Sequence, residues 1–413
     1  MQFSTFSSKV NYFLILLFSC CLPLNKKWLP IIIAILILSW LIGLNFKERL
    51  NNLKRNRYLL IIIFVYVLYI IGIIYSKDLH YGFDDLGKKA SLIIFPVIVC
   101  EAFLLKWNQV KLIFLSFNGG CFIACIICLI HSCFKYNIKH DLIVFLYADL
   151  SFFLHPAYFA MYLCFVNSLL VYYLFFYKEN IPKTNRVIAF ALMIFFSGFI
   201  VLLNSKTGIL TLAMLFIISL IYYLIRYRNF LLIITIFITI VILFFGIQHF
   251  VISPVNPRFE SAKENIQSND IDSTTTESTN VRLLIWKTSI KIIKENYLIG
   301  VGTGDVKDVL FAKYKEKGMA GALKNELNAH DQFLQTFITL GLPGILLLLS
   351  VFIFPIINSV KSGNYVLFCF LIITFINFLT ESMLETISGV VFFSFFYSLL
   401  IANNKRDELL HKQ

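Results

Sequence analysis

Residues 328–357 read NAHDQFLQTFITLGLPGILLLLSVFIFPII, and this stretch decides the fold class of the chain. Almost every residue after Gln332 is apolar. The apolar run is longer than the roughly 20 residues that a helix needs to cross the hydrocarbon core of a bilayer. It therefore predicts a membrane-spanning helix that begins near Gln332. Directly before this helix lie Asn328, His330 and Asp331, a polar and titratable cluster.

The composition of the whole chain agrees with a membrane protein. Of the 413 residues 59% are hydrophobic and 14% are charged, and the mean hydropathy is +0.81. This leaves too little polar surface to cover a soluble domain. We expect an all-α polytopic membrane protein with about twelve transmembrane helices and one large loop on the non-cytoplasmic side. The apolar runs lie near Val10–Leu24, Trp28–Leu44, Tyr58–Tyr75, Ala90–Leu105, Val110–Phe134, His155–Tyr177, Val187–Leu203, Thr207–Ile225, Phe230–Ile252, Gln332–Ile357, Tyr365–Thr380 and Thr386–Ala402.

Basic residues in short connections indicate the orientation, because such connections stay on the cytoplasmic side. The connection with Lys47, Arg49, Lys54, Arg55 and Arg57 is the strongest signal of this kind. Later basic connections fall on the same side if twelve helices are present, which places both termini in the cytoplasm. The net charge of +13 follows mainly from this distribution and favours contact with the anionic lipid bilayer. It gives no reason to expect a nucleic-acid partner.

The nine cysteines predict neither a disulfide framework nor a metal site. Every one of them falls in or beside an apolar run. Cys121, Cys125 and Cys128 share one helix face, a spacing that metal sites also use. Small side chains of this kind are nevertheless common in the packing faces of membrane helices, and we expect packing residues here.

The longest connection runs from Val251 to Ala329 and is predicted to lie on the non-cytoplasmic side. Its first part is polar, and residues 282–296 then form an amphipathic helix. The apolar face of that helix is expected to carry Leu283, Trp286, Ile290 and Ile293. Such a helix lies along the bilayer surface or caps the helix bundle, and the two readings are compatible. The glycine-rich turn from Gly300 to Gly304 that follows is of a kind that can present backbone N–H groups to an anion.

Ionisable residues near a membrane are costly to keep there, which makes them functional candidates. The predicted outer face carries His330, Arg282, Lys206, His155, Lys88 and Lys89. Each also has a structural interpretation, because flanking Lys and His residues are common interfacial anchors and a single Arg is often a surface cation. As a set they are cationic around a histidine, and phosphate is the natural complement of Arg and Lys.

Three motifs make the chain resemble the O-antigen ligase and O-antigen polymerase family. AHDQFLQTFITLGLPG (329–344) is similar to the family signature HN-x-(Y/F)-L-x-x-x-x-x-x-G-x-x-G. RLLIWKTSIKIIKENYLIGVG (282–302) resembles its R-x-x-x-W…P-x-x-G-x-G pattern, and NSKTG (204–208) resembles its S-R-x-x turn. The motifs occur in the family's order and on its expected side of the membrane.

The resemblance implies a GT-C-like glycosyltransferase of the bacterial inner membrane whose active site faces the periplasm. Such an enzyme transfers a glycan from undecaprenyl diphosphate to an acceptor hydroxyl, for example on lipid A–core, with no metal ion and no other cofactor. His330 would deprotonate or orient the acceptor, and Arg282 and Lys206 would neutralise the diphosphate. Further candidates for diphosphate binding are Lys88, Lys89 and His155.

The chain departs from the family pattern at three places. Lys206 stands where Arg is usual, Asp331 replaces Asn, and Asn296-Tyr297 takes the place of the frequent N-P. We divide the chain into transmembrane helices 1–9 (1–250), the periplasmic loop with its amphipathic helices (251–331), and helices 10–12 with a cytoplasmic tail (332–413).

Several functions remain compatible with the sequence. Repeat-unit polymerases and protein O-oligosaccharyltransferases share the motifs, so the acceptor is open: lipid A–core, another glycan or a protein. A transporter or flippase of lipid-linked glycans would also have about twelve spans and a cationic cavity. A non-catalytic member of the family is a further alternative.

Overall fold

The computed structural model of the chain describes residues 2–42, 46–54, 56–100, 105–177, 181–227 and 279–410. Within these ranges all regular structure is helical. A helix satisfies its own backbone N–H and C=O groups, which a membrane requires because lipid offers them no partner. The expected span Phe230–Ile252 and the polar first part of the large loop lie outside the described residues.

The helices of the described residues are numbered here in chain order. The first part of the chain forms α1 (Gln2–Cys21), α2 (Leu29–Ile42), α3 (Phe46–Lys54), α4 (Arg57–Ile74), α5 (Leu79–Lys89), α6 (Ser91–Val99), α7 (Trp107–Lys139), α8 (Tyr147–Leu150), α9 (Pro156–Val171), α10 (Lys183–Leu202) and α11 (Lys206–Tyr227). The last part forms α12 (Thr279–Glu295), α13 (Val306–Glu316), α14 (Ala320–Lys324), α15 (Gln332–Ser362), α16 (Tyr365–Phe378) and α17 (Ile387–Leu410).

Seven helices in the described ranges are long and apolar enough to cross a membrane, or eight if the bent pair α2 and α3 counts as one span. They are α4, α7, α9, α10, α11, α15 and α17. The prediction of an all-α polytopic membrane protein is therefore confirmed. The count of about twelve spans, the GT-C-like arrangement and the periplasmic position of the large loop stay predictions.

The chain divides into two compact units that interleave along the sequence. Counting only described residues, the first unit falls in the ranges 1–12, 34–107 and 262–413, and the second in 13–33 and 108–261. In the second unit, α9 is buried along its whole length and packs against α10 and α11. The division at residues 250 and 331, which follows the expected membrane topology, stays a prediction.

The first unit is organised around α15, which packs against α4, α12 and α16. This helix is broken at Gly341, whose backbone has a φ of 64° and a ψ of −156°. Only glycine adopts such a conformation without strain. Near the break, the carbonyl groups of Ile338 and Thr339 accept hydrogen bonds from the N–H groups of Val301 and Gly302, at 2.8 and 3.0 Å.

The turn from Gly300 to Gly304 therefore docks against the break in α15. A Cβ atom at Gly300 would overlap the backbone of Thr339, and a Cβ atom at Gly341 would overlap the backbone of Leu298. Every N–H group from Gly300 to Gly304 is hydrogen-bonded to the protein. The turn has no backbone N–H group left for an anion, so the anion-binding interpretation of its glycines is wrong. These glycines permit close packing instead.

The buried face of α12 differs from the expected one. Val281, Ile285 and Ile292 are buried, whereas Leu283 is 45% and Ile290 is 46% exposed. Of the expected apolar face, Ile293 is buried and Trp286 is partly buried. The reason is tertiary: α12 packs on a small core formed with α13, α14 and the start of α15, and that contact selects the face. The helix thus packs against the core of the first unit, and its position along the bilayer surface stays a prediction.

Candidate active site

Three side chains from separate segments meet in the first unit. Glu381 lies in the connection between α16 and α17, and its Oε1 accepts a hydrogen bond from Nη2 of Arg282 at 2.7 Å. Its Oε2 lies 3.4 Å from Nδ1 of His330. Nη1 of Arg282 also donates to the carbonyl oxygen of Thr380 at 3.0 Å. We term Arg282, Glu381 and His330 the Arg–Glu–His cluster.

The cluster is layered, with its acid buried and its two other members partly accessible. The Glu381 side chain is 8% exposed, compared with 20% for His330 and 31% for Arg282. The guanidinium has five N–H donors, of which two bind Glu381 and Thr380. Within the described residues, its other donors and Nε2 of His330 have no hydrogen-bond partner. A ligand can therefore reach donors of Arg282 and the outer nitrogen of His330 while Glu381 remains buried behind them.

The backbone just before α15 aims His330. Its φ is 47°, in the left-handed region that few non-glycine residues adopt. The Asn328 side chain supports this turn, because its Oδ1 accepts a hydrogen bond from the N–H of His330 at 3.0 Å. Asp331 then caps α15 by accepting a hydrogen bond from the N–H of Leu334 at 2.8 Å. The polar residues before the apolar run thus fix the position of the histidine.

Asp331 has a structural role at this position. Asn and Asp are equally good N-caps, so the replacement of the family's usual Asn by Asp keeps the capping hydrogen bond. The carboxyl is largely buried, and this burial raises the pKa of Asp331 to about 6. Ionised Asp331 is therefore held at the helix start at a cost, because a buried charge loses its hydration.

Gln332 ties the start of α15 to the segment that carries Glu381. Its Oε1 accepts a hydrogen bond from the N–H of Leu384 at 2.7 Å, and its Nε2 donates to Oγ1 of Thr336 at 3.0 Å. Gln332 is fully buried, so these bonds replace hydration that the amide loses on folding. The hydrogen bond between Gln332 and Leu384 thereby fixes the segment that carries Glu381 against the helix start that carries His330.

Lys89 lies in a different environment from the expected one. It is fully buried, with Nζ bonded to the carboxylate of Asp85 and, at 2.9 Å, to that of Glu385. Nζ also lies 4.8 Å from the centre of the Tyr69 ring. Burial lowers the pKa of Lys89, but the two carboxylates outweigh it and hold the pKa above its usual value. Burial, together with repulsion from Asp85, raises the pKa of Glu385.

The ammonium group of Lys89 is thus already bound by protein carboxylates, and the proposed diphosphate site does not include Lys89. Its neighbour Lys88 is exposed, with Nζ 5.7 Å from the centre of the Tyr81 ring. The participation of Lys88 in diphosphate binding stays a prediction.

Lys206 and His155 belong to the second unit. Lys206 is exposed at the start of α11, directly after a tight turn in which Asn204 has a φ of 45°. Oγ of Ser205 accepts a hydrogen bond from the N–H of Gly208 at 3.2 Å, which caps this helix. His155 caps α9, since its Nδ1 accepts a hydrogen bond from the N–H of Ala157 at 3.4 Å. Their participation in one site with His330 stays a prediction.

Sequence reasoning misses Glu381. A search for phosphate-binding groups selects cations, and the two glutamates of TESMLE (380–385) pass unnoticed at the end of an apolar run. Their position is the signal that would find them, because a carboxylate beside an apolar run is as costly as a cation. The cationic constellation expected from the sequence therefore lacks one member, the carboxylate of Glu381, which pairs with Arg282.

Comparison with known proteins supports the motif assignment. Residues 188–349 match the family model described as O-antigen ligase. The match contains Lys206, Arg282 and His330, and ends before Glu381. An uncharacterized protein of Haemophilus influenzae is 27% identical over 128 residues, which cover 30% of this chain and 32% of that protein. The similar stretch therefore spans about a third of the relative's length.

The resemblance to this family thus has two bases that agree within residues 188–349. One is the set of three motifs, and the other is the matched segment, which contains all three of them. Over this segment the chain is similar to the O-antigen ligase family, whose members are glycosyltransferase-like enzymes acting on lipid-linked glycans.

Proposed function

We propose that the protein transfers a glycan from undecaprenyl diphosphate to an acceptor hydroxyl, in the manner of an O-antigen ligase. The reaction takes place on the periplasmic side of a bacterial inner membrane, without a metal ion. The observation that carries the proposal is the Arg–Glu–His cluster, in which the buried carboxylate of Glu381 contacts both Arg282, the proposed phosphate-binding cation, and His330, the proposed base.

The cluster supports a general-base role for His330. A carboxylate that accepts the Nδ1–H proton leaves Nε2 as the unprotonated nitrogen of a neutral imidazole. Nε2 is also the nitrogen without a protein partner in the described residues. The 3.4 Å separation from Glu381 is long for a hydrogen bond, but such contacts are often long without substrate and tighten when it binds.

In the proposed reaction the acceptor oxygen forms a bond to C1 of the first sugar, and the bond between C1 and the diphosphate oxygen breaks. The hydroxyl proton passes to Nε2 of His330. Undecaprenyl diphosphate leaves with the electron pair of the broken bond. Arg282 stabilises the negative charge that builds on the diphosphate, because it has donors that neither Glu381 nor Thr380 uses and because a fixed cation in a poorly hydrated site acts more strongly than in water.

Glu381 is the positioning residue of this scheme. It holds Arg282 through one oxygen and orients His330 through the other, so the base and the cation keep a fixed separation. Lys206 is the second proposed diphosphate ligand, as the family pattern implies. Because its ammonium is a point charge, it neutralises charge without the bidentate geometry of Arg.

The direct test is transfer by the purified full-length protein. An undecaprenyl-diphosphate glycan, radiolabelled in the sugar, is offered with lipid A–core, with a second lipid-linked glycan, or with a periplasmic protein. We expect labelled lipid A–core and release of undecaprenyl diphosphate. Labelling of the second glycan or of the protein instead identifies a polymerase or a protein glycosyltransferase. An intact donor in all three reactions contradicts the proposal and favours a transporter.

A paired substitution tests the role of the histidine. His330→Ala is expected to lower turnover about 10²–10⁴-fold, the usual contribution of general-base catalysis. The matched control is His80→Ala, since the His80 side chain is 92% exposed and lies 3.7 Å from the carboxylate of Asp84 on the surface. Equal loss in both variants, or full activity of His330→Ala at normal expression, would show that His330 is not the base.

A further inference from the structure

A second basic site lies at the other end of α15, beside the start of α4. Arg57 and Tyr58 begin α4, while Asn358 and Lys361 lie in the last turn and a half of α15. These residues line a pocket of about 330 Å³. Because α15 starts beside His330 and ends at Ser362, the pocket and the Arg–Glu–His cluster lie at opposite ends of this helix.

The length of α15 places the two sites at opposite membrane faces. The part of α15 that follows the break at Gly341 is by itself long enough, at about 1.5 Å per residue, to cross a hydrocarbon core of about 30 Å. The pocket therefore lies where helix ends meet the lipid headgroups. Basic side chains at this level are positioned to reach phosphate groups without entering the hydrocarbon.

The charge of the pocket is unbalanced. Neither Arg57 nor Lys361 has a carboxylate partner among the described residues, and no acidic residue lines the pocket. Arg282 and Lys89, in contrast, are paired with carboxylates. The Arg57 guanidinium is held in place by Tyr58: it lies 5.1 Å from the ring centre, and Nη2 donates to the hydroxyl oxygen at 3.3 Å.

The walls of the pocket are apolar on the side that faces the middle of the helices. Ile61 is one turn further along α4 than Arg57, and Phe354 is about two turns before Lys361 on α15. Phe354 is 52% and Ile357 is 47% exposed, as expected for side chains that contact lipid. The site thus has a cationic end and an apolar wall, which complement the anionic phosphate and the acyl chain of a phospholipid.

We propose that this pocket binds an anionic glycerophospholipid in the leaflet opposite to the Arg–Glu–His cluster. The lipid phosphate lies between Arg57 and Lys361, the headgroup hydroxyls reach Asn358, and an acyl chain follows Ile61 and Phe354. A lipid of net negative charge fits best, since two cations without a neighbouring acid attract it more than a zwitterionic lipid. Free phosphate matches the cations but leaves the apolar wall without a partner.

The test measures lipid affinity with delipidated full-length protein in neutral detergent, by native mass spectrometry. The probes are phosphatidylglycerol, phosphatidylcholine and, as a soluble competitor, glycerol phosphate. Arg57→Gln/Lys361→Gln is expected to bind phosphatidylglycerol about 30-fold more weakly than the wild type, the effect of two cations near a membrane surface. Its binding of phosphatidylcholine is expected not to change.

Two further variants separate the pocket from general surface charge. Lys47→Gln/Lys54→Gln removes the same charge from exposed positions of α3 that do not line the pocket, and should keep wild-type affinity. Arg57→Lys/Lys361→Arg retains both cations and should also bind, which keeps the test valid if the neutral variant folds poorly. Equal affinity of the wild type and Arg57→Gln/Lys361→Gln overturns the proposal. So does displacement of the lipid by equimolar glycerol phosphate, which would assign the site to a soluble phosphate.

Discussion

The substitution Glu381→Gln tests the proposed site most directly. Glu381 is 8% exposed, binds Nη2 of Arg282 at 2.7 Å and faces Nδ1 of His330 at 3.4 Å. Glutamine has nearly the same shape, so the change removes the charge and one acceptor while the packing is kept. Arg offers only donors, so the amide oxygen stays with Arg282 and the NH₂ group turns toward His330.

This geometry determines the size of the effect. With an NH₂ group opposite, Nδ1 of His330 becomes an acceptor, and the proton of the neutral ring moves to Nε2. The ring then no longer accepts the hydroxyl proton. General-base catalysis contributes about 10²–10⁴-fold, and the contact is long, so we expect turnover to fall about 10²–10³-fold. Loss of the charge-assisted bond to Arg282 should lower the free energy of unfolding by about 1.5–3 kcal/mol.

The assay is the release of undecaprenyl diphosphate at several donor concentrations, with kcat and KM determined separately. The loss should lie in kcat, because the histidine acts in the transition state. Glu326→Gln is the matched control, since it removes a glutamate that binds Lys307 at 2.8 Å on the surface of the same unit. A folded Glu381→Gln enzyme with kcat within twofold of the wild type would refute the role of the carboxylate. A loss confined to KM would reduce it to holding Arg282.

Three further predictions follow from the described residues. Asp331→Asn keeps the N-cap and removes a carboxyl whose pKa is raised from 3.8 to about 6. The raised pKa favours the folded state fully below pH 3.8, and this contribution is lost as the pH rises through 6. Asp331→Asn should therefore stabilise the protein at pH 7.5 by up to about 3 kcal/mol and have no effect in acid. Thermal unfolding over a pH series measures the difference in stability between the variant and the wild type. Gly341→Ala should destabilise the protein more than Gly318→Ala in the same unfolding assay, because both glycines have a positive φ but only Gly341 is crowded. For Gly341→Ala we expect a loss of about 1–2 kcal/mol from the backbone conformation and about 1–3 kcal/mol more from the overlap. Lys206→Arg should retain transfer activity because it keeps the charge, whereas a folded but inactive variant would show that this cation does not bind the diphosphate.

The start of α15 is a feature that local sequence is sufficient to predict. The polar cluster before Gln332 predicts a helix start, and the helix begins at Gln332, with Asp331 as its cap. Cap and helix are both local in the chain, so residue type and spacing are sufficient to predict them. The conformation of His330 is local as well, since the supporting Asn328 is two residues away.

The glycine-rich turn shows where local reasoning fails. Its composition is equally compatible with an anion site and with tight packing, and only the position of the break in α15 separates the two. The same holds for α12, whose sequence permits more than one apolar face. The core that it contacts decides which of these faces is buried.

Local sequence is sufficient to predict the membrane class, most helix positions, the resemblance to the O-antigen ligase family, and two members of the cluster, His330 and Arg282. All of these depend on the length of apolar runs or on short motifs, which are properties of neighbouring residues. Tertiary packing alone brings Glu381 between these two side chains and places two carboxylates against the ammonium group of Lys89. Glu381 is 51 positions from His330 and 99 from Arg282, and no local pattern encodes contacts over such separations. They arise when α12, α15 and the segment after α16 pack against one another and bury a carboxylate that needs partners.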